Sequence, residues 1–144
     1  MKKDIRRYKI HLGLITLNSE KTLSTLLLLG GTYIKAVEDK LRKVMLTFVD
    51  LGNVLIEVVE PLDKTSKVYS LAKKGVSFYH ICITVHQKLE DYIERLTKFG
   101  SFILIEPPSP AIAFDGDRVA FLYNTSIGII KLREFKTKSG RKTT

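Results

Sequence analysis

The chain of 144 residues has a single cysteine, four prolines and no apolar stretch near the length of a bilayer span. Its greasiest run, Leu26-Leu27-Leu28-Leu29, is far too short to cross a membrane. No N-terminal apolar segment with a cleavage site is present, so no membrane partner is expected and the expected address is a reducing cytoplasm. One cysteine excludes an internal disulfide. Cys82, inside the apolar run His80-Ile-Cys-Ile-Thr-Val85, reads as a buried, unreactive thiol. Low-complexity sequence is missing before the last dozen positions, and the length suits one fold, with room for two similar halves.

The formal net charge is +9. Its placement decides what it means. Residues 1–9 hold five Lys/Arg against one Asp, and residues 131–144 hold six against one Glu, while residues 10–130 carry 13 of each sign. All of the excess is terminal, and no aromatic residues alternate with the bases as a stacking platform for nucleic acid requires. Specific nucleic-acid binding is therefore not expected. Charge of this kind gives salt-sensitive, non-specific affinity.

What the chain does have is internal repetition. His11-Leu-Gly-Leu-Ile-Thr-Leu17 matches His80-Ile-Cys-Ile-Thr-Val85, apart from one extra residue, at an offset of 69. Val54-Leu-Ile-Glu-Val-Val-Glu60 matches Gly128-Ile-Ile-Lys-Leu-Arg-Glu134 at an offset of 74. The extra residues fall in the Pro-rich stretch after Glu106. In the first half, alternation and turn signals predict a strand at 8–16 and a helix capped by Asn18 or Ser19. Leu23, Leu26 and Leu27 stand at helical spacing there, with an end at Gly30-Gly31. Strands follow at 32–37, 43–50 and 54–60. In the second half, strands are predicted at 77–85, 102–106, 118–123 and 128–133. A helix at 87–99 gathers Leu89, Tyr92, Ile93, Leu96 and Phe99 on one face. Both halves read β-α-β-β-β. The expected class is α+β, two βαβββ modules forming a curved mixed sheet around a cup-shaped cavity. The expected organisation is a basic tail at 1–7, module one at 8–62, a linker helix within 63–76, module two at 77–134 and a basic tail at 135–144. Residues 107–117 read as a loop, either a connector or a gate over the cup.

The order of elements, with H11-L-G-L-I-T, D50-L-G-N-V-L-I-E-V-V-E-P-L, Y79-H-I-C-I-T-V and R118-V-A-F-L-Y, resembles the vicinal-oxygen-chelate superfamily. That superfamily includes glyoxalases, bleomycin-resistance proteins and extradiol dioxygenases, and within it the likeness is greatest to methylmalonyl-CoA epimerase. The resemblance implies a divalent metal, Co, Zn, Mn or Ni, held by one residue from each of four strands. His11, Glu57 and His80 fall on three of those positions, and Lys131 falls on the fourth, where the pattern has a glutamate. The internal repeat reaches the same register, pairing His11 with His80 and Glu57 with Lys131. A lysine ammonium has donors and no lone pair, so it cannot ligate a metal. Glu134, three residues on, should face the opposite side of a regular strand.

Two readings stay open. In one, His11, Glu57 and His80 hold the metal and the chain is an isomerase, epimerase or lyase acting beside a carbonyl, with Glu57 and Lys131 as candidate catalytic residues. In the other, the metal is lost, Lys131 neutralises Glu57, and the protein binds a small ligand without epimerase activity. The resemblance further implies a small-molecule ligand, an acyl-CoA or another anion, and a homodimer. For the general base an epimerase needs, no acidic residue stands between Lys43 and Val49, and Glu57 reads as the one acidic side chain inside the cup.

Overall fold

A computed structural model of the chain describes residues 4–136. The chain divides into two compact units, Met1–Tyr79 and His80–Thr144. Both have the expected βαβββ order, so the α+β class of two repeated modules stands. In the first unit β1 (Ile10–Ile15), α1 (Ser19–Leu28), β2 (Thr32–Asp39), β3 (Val44–Leu51) and β4 (Val54–Pro61) are followed by the short helix α2 (Tyr69–Lys73). The strands lie in the order β2-β3-β4-β1. In the second come β5 (Phe78–Val85), α3 (Leu89–Thr97), β6 (Phe102–Pro110), β7 (Arg118–Asn124) and β8 (Gly128–Glu134), in the order β5-β8-β7-β6. β1 pairs with β4 and β5 with β8 in parallel, and the remaining neighbours within each unit are antiparallel. Among the described residues no helix is long and apolar enough to cross a membrane.

The helices form where the sequence caps them. Asn18 accepts a hydrogen bond from the Lys21 amide, satisfying one of the free donors at the start of α1. Its end is closed by Gly30 at φ +95° and by Gly31, where an added Cβ would stand 2.7 Å from the Leu26 carbonyl oxygen and 2.8 Å from Val49. Leu26 and Leu23 turn towards the sheet and pack with Leu14, Val49, Ile56 and Val58. In the second unit Leu89 and Ile93 of α3 pack on Ala120, Leu122, Ile130 and Leu132. Each such side chain, fully buried, contributes about 1.5–3 kcal/mol. One face of each sheet is thereby consumed by its helix, and strand alternation leaves the other face to the residues between.

Several expectations are corrected. Leu27 is 44% exposed and points away from the sheet. Phe99 is 75% exposed, because α3 stops at Thr97 and the helical spacing no longer applies. Residues 5–7, expected within a basic tail, form a 3-10 turn whose Ile5 and Arg6 are buried. Of the expected C-terminal tail, residues 137–144 lie outside the described residues. The Pro-rich stretch, expected as a loop, is largely regular structure. β6 continues through Pro110, where proline is tolerated because β6 ends the strand order of its unit, and a 3-10 turn then buries Ala113 and Phe114.

Candidate functional site

In the first unit the ladder aligns His11 with Leu55 and Gly13 with Glu57. Leu12, Leu14, Ile56 and Val58 go to the helix side, so His11 and Glu57 share the opposite face. They meet there: His11 Nε2 stands 3.3 Å from Glu57 Oε1, with side chains 3% and 1% exposed. A carboxylate buried to that degree needs a polar partner, and the imidazole supplies one. Phe48, fully buried, stands opposite Glu57 on the next strand.

The second unit repeats the register. His80 aligns with Ile129 and Cys82 with Lys131, the same stagger as His11 with Leu55 and Gly13 with Glu57. Ile81, Ile83, Ile130 and Leu132 face the helix, which puts His80, Cys82 and Lys131 on the helix-free side. Cys82 is fully buried, as expected. Phe121 of β7 lies between the two polar residues, its ring 5.6 Å from the His80 ring in an edge-to-face arrangement and 5.7 Å from Lys131 Nζ. Lys131 Nζ also lies 5.2 Å from the centre of the Phe114 ring, and the side chain is buried. Two phenyl faces offer this ammonium a favourable electrostatic surface.

Glu134 is elsewhere. It accepts a 2.8 Å hydrogen bond from the Leu89 amide at the start of α3 and pairs with Arg118, whose guanidinium also holds Glu90 at 2.7 Å. Its counterpart in the first copy, Glu60, likewise accepts from the Ser19 amide at the start of α1. The glutamate shared by the two copies thus supports a helix N-terminus in each unit. The position that differs, 57 against 131, faces the other way. Hydrogen bonding to Arg118 lowers the Glu90 carboxyl to about 2. Burial would raise Glu134, but Arg118 and the Leu89 amide outweigh it and the net shift is downward.

Sequence reading did not single out Arg133 on the helix-free face. Arg133, two positions after Lys131, is fully buried; it pairs with Asp117 at 2.5 Å, donates to Thr84 Oγ1 at 3.0 Å and lies over the Phe114 ring at 4.8 Å. Alternation along β8 was the available signal. Asp50, the acidic residue at the end of β3, accepts a hydrogen bond from the Tyr8 hydroxyl. Burial, with help from Asp50, pushes the Tyr8 phenol up to about 12. The two residues share the wall of a cavity of about 360 Å³ with Arg7, Lys9 and Asn53.

Chemically, the first unit offers a buried imidazole–carboxylate pair able to hold a proton or a cation. The second offers a buried imidazole and a buried ammonium on one face.

Residues 10–121 match the family described as the glyoxalase/bleomycin resistance protein/dioxygenase superfamily. Among solved structures, a hypothetical protein BH1468 from Bacillus halodurans C-125 superposes with a TM-score of 0.78 at 23% identity, over 89% of this chain and 94% of the other. The methylmalonyl-CoA epimerase from Mycobacterium tuberculosis superposes with a TM-score of 0.75 at 17% identity, over 90% and 88%. The Streptomyces coelicolor methylmalonyl-CoA epimerase, in complex with 2-nitronate-propionyl-CoA, gives 0.72 at 15% identity, over 88% and 96%. No curated protein matches.

Proposed function

Because the chain belongs to the glyoxalase/bleomycin resistance protein/dioxygenase superfamily, we propose that it is an isomerase-type enzyme that loosens a C–H bond beside the carbonyl of a small anionic acyl compound, an acyl-CoA among them. The observation that carries this reading is the buried His11–Glu57 pair at 3.3 Å, in a register that the second unit repeats at His80. His11, Glu57 and His80 each offer one ligand atom and all three are buried. Two imidazoles and a carboxylate suit a first-row divalent ion such as Co, Zn, Mn or Ni. When bound, such an ion polarises a carbonyl as a Lewis acid. His11 Nε2 and Glu57 Oε1, 3.3 Å apart, are close enough to share one ion, and buried Phe48 beside Glu57 keeps bulk water from the pair. Lys131, having no lone pair, stands outside that donor set.

The test is elemental analysis of the purified protein, repeated on Lys131→Glu, together with deuterium uptake from D2O into the α-carbon of methylmalonyl-CoA. Stoichiometric metal and uptake are expected. A parent protein that holds no metal and promotes no uptake refutes the reading.

A second reading follows from one observation, the burial of the Lys131 ammonium against Phe114 and Phe121. In it, the protein binds an anionic ligand without a metal, and metal appears only in Lys131→Glu.

A further inference from the structure

The helix-free face of the second sheet holds an acidic residue that strand alternation hides. In β7, Ala120 and Leu122 pack under α3, so Phe121 between them faces the other side. β6 pairs with β7 regularly through Ile103 with Tyr123 and Leu104 with Leu122, and then the register shifts so that Glu106 stands opposite Phe121. The extra residue is Ile105, left 53% exposed. In an unbroken strand Glu106 would share a face with Leu104, towards the helix. The bulge turns it over, and directly opposed residues of an antiparallel pair point the same way. Lys131, Phe121 and Glu106 therefore form one row across three strands. Two strand spacings set the outer Cα atoms about 10 Å apart, with a phenyl ring as the floor between. Glu106 is half-buried. The row to one side, Ile129, Tyr123 and Ile103, is apolar and open at Tyr123 and Ile103, which are 41% and 60% exposed. The row to the other side is closed by buried Val119 and by Arg133, paired with Asp117.

The first unit has the same row with its signs reversed. Glu57 stands opposite Phe48, and Phe48 opposite Lys35, again just past a register shift, between Tyr33 and Lys35. The exchange of Glu57 for Lys131 is thus matched by the exchange of Lys35 for Glu106. Lys131 is half of a built arrangement.

We propose that Glu106 and Lys131 are an enolising pair, an inference that rests on the reading of a ligand with an acidic C–H beside a carbonyl. The Cα–H bond breaks and its proton passes to the Glu106 carboxylate. The electron pair left on Cα forms the carbon–carbon double bond of the enolate, and the carbonyl π pair moves to oxygen beside the Lys131 ammonium. Reprotonation at Cα reverses the flow, and no oxidant or reductant is consumed. A preformed cation beside the developing oxyanion is a large source of rate in such steps, and a carboxylate positioned at the C–H bond can act as the base.

The experiment uses the protein as purified, with two probes. Deuterium uptake into methylmalonyl-CoA reads proton abstraction, and calorimetric binding of its enolate-like analogue 2-nitronate-propionyl-CoA reads oxyanion recognition. Glu106→Gln should keep nitronate affinity within about 3-fold and lose uptake by at least about 100-fold, the size expected for a general base, and Glu106→Asp should recover part of it. Lys131→Met should weaken the nitronate at least about 10-fold while changing affinity for methylmalonyl-CoA less, and Lys131→Arg should restore binding. Uptake at the parent rate in Glu106→Gln, or unchanged nitronate affinity in Lys131→Met, overturns the pair and leaves the proposed function standing. A parent protein that neither binds the nitronate nor promotes uptake overturns both. Loss of uptake in Glu106→Gln together with lost nitronate binding, unrescued by Glu106→Asp, marks a structural role and overturns the assignment.

Discussion

The Arg133–Asp117 pair permits a quantitative test of how the second unit carries charge in its interior. Both side chains are 1% exposed and stand 2.5 Å apart, with Thr84 Oγ1 taking a second bond from the guanidinium and the Lys136 amide donating to Asp117. Replacing Asp117 by Asn preserves shape and removes the charge. A guanidinium that has left water then loses its carboxylate, at a cost of about 3–5 kcal/mol. For a chain of this size, that lowers the melting temperature by roughly 10 °C. Removing both members is different. In Arg133→Met/Asp117→Leu no buried charge of the pair is left, and the remaining loss is about 1 kcal/mol for each of the bonds to Thr84 and the Lys136 amide. The double variant should therefore be more stable than Asp117→Asn by about 1–3 kcal/mol, although it carries more substitutions. Urea denaturation of the parent, Asp117→Leu, Arg133→Met and the double closes the cycle, with Asp117→Asn measured beside it. An Asp117→Asn loss below about 1 kcal/mol, or additive single losses, would refute the claim that this pair is held out of water as a unit.

The remaining predictions concern titration. Glu90 is held at about 2 against an ordinary value of 4.5, and Glu134 is also lowered, through Arg118. Their folded-state values are depressed, so their contribution to stability is complete above about pH 4.5 and drains away as pH falls towards 2. Acid unfolding of Arg118→Met, followed by circular dichroism, should show a shallower slope in that window; an unchanged slope speaks against the Arg118 bridge. Tyr8 has the opposite sign. Its phenol is raised from 10 to about 12, so its contribution is whole below pH 10 and is lost as pH climbs through 12. Ultraviolet titration should find a tyrosine component ionising late, and Tyr8→Phe should abolish that component. A titration curve that Tyr8→Phe leaves without loss of a late component would contradict the Tyr8–Asp50 bond.

The fold was legible because two independent signals agreed, the repeat and the alternation of apolar residues. The register of His11 and Glu57 followed from the same signals, since neither β1 nor β4 contains a bulge in its ladder. Where the reading failed, a local event had reset the period. α3 stops two residues before Phe99 and frees that ring into solvent. In α1, Leu27 follows Leu26 by one residue, which turns it about 100° off the buried stripe. The Arg133–Asp117 bond joins residues 16 apart, across the turn between two strands, and a formally charged pair in an apolar run carries no sign that both ends are inside. Glu106 was the least legible. Unbroken alternation would put it on the helix side, and one inserted residue turns it to the other.

That reversal makes the second row testable as a unit. Lys131→Glu alone sets two carboxylates on the row that flanks Phe121, where the parent has one of each sign. Changing an attraction to a repulsion at about 10 Å, the span of two strand spacings, with the effective screening typical of partly buried sites, shifts the balance by on the order of 3 kcal/mol before solvent relaxation, and a net loss of about 1 kcal/mol is the expected remainder. Lys131→Glu/Glu106→Lys gives the second unit the sign pattern that the first already has in Glu57, Phe48 and Lys35. It should regain at least half of that loss in urea denaturation, although it places a second substitution in the sheet. If the double variant is no more stable than Lys131→Glu, positions 106 and 131 do not sense each other, and the mirrored signs of the two rows have no electrostatic meaning.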